Sequence, residues 1–172
     1  IASYQAAIRS RPDYAEAHDN LRNVLQAAGR LDEAVRCHDR ALALKPDFAD
    51  ARWNKSFALL LQGDFTAGWP LFESRWELLR NHPDVIAFDK PLWLGEYPLA
   101  RKTILVHAEQ GLGDTIQFAR YLPQLARAGA RVVLEVQPAL VPLLSRLDGV
   151  STVVARGDAL PAYDVYCPAA SL

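Results

Sequence analysis

Hydrophobic positions change period once along this 172-residue chain, and the change divides it. Up to about residue 80, apolar side chains recur at helical spacing. Tyr4, Ala7 and Ile8 mark the buried side of a first helix over 1–11, and Phe65, Trp69, Phe72 and Trp76 fall at i, i+4, i+7 and i+11 as one stripe. From Lys102 the pattern becomes strand, helix, strand. Thr103–His107, Arg131–Val136 and Val150–Ala155 read as strands, with a fourth expected over 163–166. Helices are expected over 114–128, closed by Gly129, and from Pro138 to about Leu147. The strands are apolar on both faces, which predicts a parallel sheet covered by helices. Between the two patterns, Pro83, Pro91, Pro98 and Gly95 forbid a long helix over 81–101, while Trp93 and Tyr97 predict a packed connector. Two further prolines disturb helices. Pro70 must lie in a first turn or kink its helix, and Pro123 presses on the carbonyl of Ala119, so a bend is expected there.

The first half also repeats itself. Pro12-Asp13-Tyr14-Ala15-Glu16-Ala17 returns 34 residues on as Pro46-Asp47-Phe48-Ala49-Asp50-Ala51. The same shift relates Asn20 to Asn54, Leu25 to Leu59, Gly29 to Gly63 and Leu31 to Phe65. Gly29 and Gly63 are placed to end each first helix in left-handed backbone. Ala34 and Ala41 are small enough for paired helices to approach, and Pro12 and Pro46 stop each second helix. This period resembles the tetratricopeptide repeat over residues 1–80: one partial, one complete and one divergent repeat. In the divergent one Gly68 replaces the small alanine, and its aromatic stripe is expected to cap the array by docking on the next stretch of chain.

First helices line the concave face of such an array. Asn20, Asn23 and Asn54 would stand there, and an amide that donates and accepts at once suits a peptide backbone. The repeats are similar to those of the O-GlcNAc transferases, whose superhelix carries an asparagine ladder at this position. That resemblance implies a protein or peptide ligand on the concave face. Tolerance of asparagine on an exposed helix face explains the same residues equally well.

The second half has one turn with chemical content, His107-Ala108-Glu109-Gln110-Gly111-Leu112-Gly113-Asp114-Thr115. A strand, glycines and a helix start in this order build the ligand crevices of open α/β sheets. Gly111-Leu112-Gly113 begins like a dinucleotide fingerprint, but Ile116 holds the third glycine position, Gln137 and Pro138 stand where a ribose-binding acid would, and no Walker lysine is present. Asp114 would also set a like charge against any phosphate at the positive end of the helix. Two roles stay open for Asp114: an N-cap carboxylate, and a general base for an acceptor hydroxyl. His107 either lines the crevice or is a buried histidine satisfied by a carbonyl. Glu109 and Gln110 either meet an acceptor or are solvated loop residues.

Gly113-Asp114-Thr115-Ile116 followed by Leu122-Pro123-Gln124-Leu125 is similar to the opening of the heptosyltransferase-like, family-nine glycosyltransferases. The resemblance covers roughly 102–155, with the proline displaced from the family pattern. It implies two Rossmann-like domains in the GT-B arrangement, inverting transfer from a nucleotide sugar, and an aspartate in this turn as base. Asp114 is then the candidate catalytic residue, with Gly111, Gly113, Thr115, Gln110 and His107 as candidate substrate contacts. O-GlcNAc transferases join the same two modules, but their loop histidine has no counterpart here, and His107 does not inherit its role.

Composition narrows the field. Hydrophobic residues at 51% and charged residues at 23% fit a globular chain and exclude disorder. The net charge of −1 is spread evenly, so no basic face offers itself to nucleic acid. No apolar run approaches the ~20 residues that span a bilayer, and no signal peptide is visible. A cytoplasmic protein with Cys37 and Cys167 as reduced thiols is expected. His18, His38 and His82 show no metal-ligand spacing, so no metal site is expected. Methionine is absent, and the last five residues come just after a strand-like run, which suggests a truncated piece of a longer protein; the two modules together resemble bacterial tetratricopeptide-repeat proteins with a glycosyltransferase-like C-terminal region.

The expected fold class is thus α followed by α/β: helical hairpins over 1–80, a connector over 81–101, and a partial Rossmann-like parallel sheet over 102–172, the N-terminal half of a GT-B fold. The expected function is the acceptor side of a sugar transfer, with a protein or saccharide acceptor. The piece itself would hold no cofactor and be inactive, because the nucleotide sugar would bind a second domain. The rival expectation is a non-catalytic scaffold for protein docking.

Overall fold

The helical spacing of the first half is realised as hairpins in the computed structural model, which describes residues 1–79 and 88–172. The chain divides into two units, Ile1–Val85 and Ile86–Leu172. In the first lie α1 (Ala2–Ser10), α2 (Ala15–Ala27), α3 (Leu31–Leu44), α4 (Ala49–Gln62), α5 (Phe65–Phe72) and α6 (Arg75–Leu79). α2 and α4 start 34 residues apart, so the helices carry the sequence repeat. The turns repeat it at the level of atoms. His18 Nε2 lies 3.1 Å from the Pro12 carbonyl, and Arg52, its counterpart, donates to the Pro46 carbonyl at 2.7 Å. The Arg11 guanidinium covers the Tyr14 ring at 3.8 Å, as the Lys45 ammonium covers Phe48 at 4.6 Å. Gly29 and Gly63 take φ of 71° and 82°, a conformation that costs other residues about 1–2 kcal/mol. Ala34 and Ala41 are fully buried, and Leu21, Leu25 and Ala34 pack with Tyr4, Ile8 and Cys37.

The aromatic stripe does not occupy one helix. Pro70, in the second turn of α5, cannot bond back along the helix, and α5 ends two residues later at Phe72. Phe72 is buried, edge-on to Phe57 and Trp69 at 5.8 and 5.6 Å, whereas Phe65 and Trp69 stay exposed. Trp76 falls on the separate helix α6.

A buried polar trio sits in the first complete hairpin. His38 of α3 is wholly buried against Asp19 and Arg22 of α2. Its Nδ1 is 3.2 Å from Asp19 Oδ1, close enough for attraction without hydrogen-bond alignment. Burial holds the imidazole below its ordinary range, against the pull of Asp19 and with the push of Arg22 and of Lys55 from α4. Below about pH 6.5 the unfolded chain therefore takes up a proton that the folded unit resists. Stability is full above that value and falls as acid is added. His38→Phe, which copies Phe72 one repeat on, is expected to shrink the drop in melting temperature between about pH 7.5 and pH 5. Equal drops in both proteins would remove His38 as the cause.

The second unit is an α/β layer. It contains β1 (Thr103–His107), α7 (Leu112–Ala119), α8 (Leu122–Arg127), β2 (Arg131–Val136), α9 (Val141–Leu144), β3 (Val150–Ala155) and β4 (Val165–Pro168). The strands form one parallel sheet in the order β3-β2-β1-β4. The chain runs outward from β1 to β3, then returns to the other side of β1, so the direction of winding reverses between β1 and β4. Ile104, Val106, Val132, Leu134 and Val136 are buried on one face, where α8 packs on β2 and β3. On the other face Leu105, Val133 and Val154 pack with Tyr166 of β4 and with Phe88, Leu160 and Tyr163 from irregular segments.

Three boundaries differ from those the sequence predicts. The helix expected over 114–128 starts at Leu112 and breaks between Ala119 and Leu122, where the Pro123 ring would strike the Ala119 carbonyl. The helix from Pro138 is a 3-10 turn, Pro138–Leu140, succeeded by the single α turn α9, because Pro142 lacks the amide that a continuous helix would bond back to the Pro138 carbonyl. The fourth strand lies two residues later than 163–166. Of the connector, 81–87 with Pro83 lie outside the described residues. Its later part joins the sheet: Leu92 bridges to Tyr166, with Trp93 N–H donating to the Tyr166 carbonyl at 2.8 Å. Among the described residues no helix is long and apolar enough to cross a membrane, and no group of His, Cys, Asp or Glu could hold a metal ion.

Candidate functional site

The turn after β1 is built from the strand end outward. Ala108 prolongs the ladder by donating to the Glu135 carbonyl at 2.9 Å, and its own carbonyl accepts from the Arg156 guanidinium. Gly111 is the N-cap of α7, in extended backbone, and its carbonyl accepts from Thr115 N–H at 3.0 Å. Asp114 is thus the third helical residue and not the cap itself. Its Oδ2 accepts from the Gly111 N–H at 3.1 Å, the half of a capping box that an N3 carboxylate supplies. Glycine has no side chain to complete the other half. The carboxylate is exposed at the positive end of the helix.

The two glycines answer different needs. Neither has positive φ. A Cβ on Gly111 would stand 3.1 Å from Asp114 Oδ2 and push the carboxylate aside. A Cβ on Gly113 would meet nothing within 4 Å, so no internal contact demands glycine there.

Thr115 is buried, with its hydroxyl 3.0 Å from the Gly111 carbonyl and 3.2 Å from Gln137 Oε1. Gln137, just past β2, also donates through Nε2 to the Gln110 carbonyl at 2.7 Å. Gln110, Gly111, Asp114 and Thr115 therefore form one connected cluster, while Gly113 lies open beside it. His107 is placed differently. It is buried on the loop-covered face of the sheet, its ring 4.6 Å from Phe88 and 5.9 Å from Tyr166. Phe88 is held there with Asp89, whose carboxylate accepts from the Tyr163 hydroxyl at 2.9 Å. Burial and that bond push Tyr163 up to about 12. Opposite His107 in the register is Glu135, whose burial pushes its carboxyl upward against the opposing pull of Arg156. Asn20 and Asn23 are exposed on α2, and Asn54 is half-buried on α4.

Sequence reasoning missed Gln137, Glu135 and Arg156. A charge inside the apolar run Arg131–Val136 was the visible signal for Glu135. Nothing local marked Gln137, whose partners lie 22 and 27 residues away.

No family model matches the chain. Protein FlbA of Caulobacter vibrioides is 26% identical over 152 residues, which make up 85% of this chain and 25% of that protein. Among solved structures, YrrB, described as a TPR protein with an unusual peptide-binding site, has a TM-score of 0.41 at 22% identity, over 43% of this chain and 38% of its own. A K341M mutant of the Thermobaculum terrenum O-GlcNAc transferase has a TM-score of 0.40 at 22% identity, over 92% of this chain and 31% of its own. The chain thus spans a quarter of the curated relative and about a third of each solved chain. At these TM-scores neither likeness decides the fold, which rests on the hairpins and the strand order themselves.

Proposed function

We propose that this chain is part of a longer cytoplasmic bacterial glycosyltransferase, with the sheet unit as the Rossmann-like, acceptor-side half of a GT-B pair. One observation carries the reading: an exposed carboxylate, Asp114, at the first strand-to-helix turn of a parallel sheet. α7 packs against the 3-10 turn Ala169–Ser171 after β4, so this turn stands beside the reversal in strand winding, the place where open α/β sheets hold ligands. Asp114 Oδ1 makes no hydrogen bond among the described residues, and Gly113 leaves the backbone open to close approach.

In this scheme Asp114 takes the proton of an acceptor hydroxyl as its oxygen attacks the anomeric carbon of a nucleotide sugar. The bond from that carbon to the nucleoside diphosphate breaks with inversion, and the diphosphate leaves with the electron pair. Gln110, Gly111 and Gly113 border the acceptor, the buried Thr115 supports the turn from beneath rather than touching the acceptor, and His107 shapes the strand end. The donor is held by a second Rossmann-like domain outside this chain, so the chain alone turns nothing over. The test is an assay of the intact protein for transfer and hydrolysis with a panel of nucleoside-diphosphate sugars. Turnover supports the reading, and absence of both turnover and donor binding overturns it.

A second reading is favoured by one observation. The bond from Gly111 to Asp114 is what a purely structural N3 carboxylate makes. The sheet unit would then be a docking platform and the hairpins the working part. Under either reading Asn20, Asn23 and Asn54 receive a peptide backbone. Asn20→Ala with Asn54→Ala is expected to weaken peptides selected on an array by about tenfold, the effect of one or two lost hydrogen bonds. Unchanged affinity would reduce these amides to surface residues.

A further inference from the structure

We propose that Gln137 is the positioning residue of this turn and sets the direction of the Asp114 carboxylate through a single peptide plane. The Gln110 carbonyl that Gln137 Nε2 holds at 2.7 Å and the Gly111 N–H that Asp114 Oδ2 receives at 3.1 Å belong to the same peptide unit. That unit is planar and trans, so its C=O and N–H point in opposite directions. Fixing the oxygen fixes the hydrogen. The other end of the Gln137 amide accepts from the Thr115 hydroxyl, which is also in reach of the next carbonyl, that of Gly111. The one hydroxyl proton is shared between these two acceptors, so the direct tie from the turn to the end of β2 is the bond to the Gln110 peptide. Only a side chain that donates at one atom and accepts at the next makes both bonds, and glutamine has that reach. Glutamate keeps the shape but cannot donate to the Gln110 carbonyl, and leucine makes neither bond.

That this orientation serves sugar transfer rests on the function proposed above; the orientation itself does not. Amide hydrogen exchange followed by NMR on this chain separates the two. In Gln137→Leu the Gly111 amide is expected to exchange about tenfold faster, as the bond to Asp114 loses its fixed donor, while the amides of β1 and β2 stay protected. Gln137→Glu at neutral pH is expected to do the same, and it decides the matter if the leucine variant fails to fold. In the intact protein both variants are expected to lower kcat with little change in KM. Unchanged Gly111 exchange in a folded variant overturns the positioning role, whatever the intact protein catalyses. Faster exchange in a protein that transfers no sugar supports the positioning role and overturns the transfer reading.

Discussion

Asp114→Asn is expected to lower sugar transfer by the intact protein by about 10²–10⁴-fold, the span that a positioned general base supplies. The substitution is chosen for what it preserves. An asparagine side chain has the same shape, and its amide oxygen can still accept the Gly111 N–H that Asp114 Oδ2 receives at 3.1 Å. The α7 start therefore stays closed, and only the charge and the basic oxygen are lost. Asp114→Ala removes that hydrogen bond as well, at a typical cost of about 1 kcal/mol. A transfer rate that falls equally in both variants, with melting temperature nearly unchanged in the asparagine one, identifies the carboxylate as chemical. Equal turnover of the wild type and Asp114→Asn would reduce it to a helix cap and leave the docking platform.

The position of Asp114 shows why the turn was only partly legible. An acid near a helix start fits both the cap position and the third helical position, since the capping box uses each. Leu112-Gly113 read as loop because glycine costs a helix about 1 kcal/mol, and that placed the start two residues late. The repeats were far clearer. Their turn residues, Pro12 with Gly29 and Pro46 with Gly63, have backbone requirements that no neighbour can supply. β1 and β2 were clear for a related reason: burial on both faces leaves an apolar run that no surface helix shows. Gln137 was illegible because its meaning lies in what the sheet brings to it. The strand-end glutamine was read for the acid it lacks, and the fold turns it into a clamp on the neighbouring loop.

The second large effect concerns Arg75, which the repeat disguises. It stands 34 residues after Ala41, where the first hairpin is wholly buried and small. Here a guanidinium fills the space, its side chain 1% exposed. It lies over the Phe72 and Trp76 rings at 4.3 and 4.7 Å and donates to Glu73 Oε1 at 2.8 Å. Glu73 Oε2 also accepts from the Trp76 indole at 3.1 Å, so one carboxylate ties cation and ring together just after α5 stops. Losing a hydrogen bond to a charged group costs about 1.5–3 kcal/mol, and the burial of the Arg75 side chain argues for the upper end. Glu73→Ala is thus expected to cost the first unit about 3 kcal/mol in urea unfolding. Glu73→Gln, which can still accept from Trp76, is expected to lose less. The pair Arg30 with Glu33 is the control. Its geometry is as good, at 2.6 and 2.8 Å, but both side chains are more than 40% exposed, so water screens it and Glu33→Ala is expected to change little. If Glu73→Ala costs no more than Glu33→Ala, burial is not what gives the inner pair its strength.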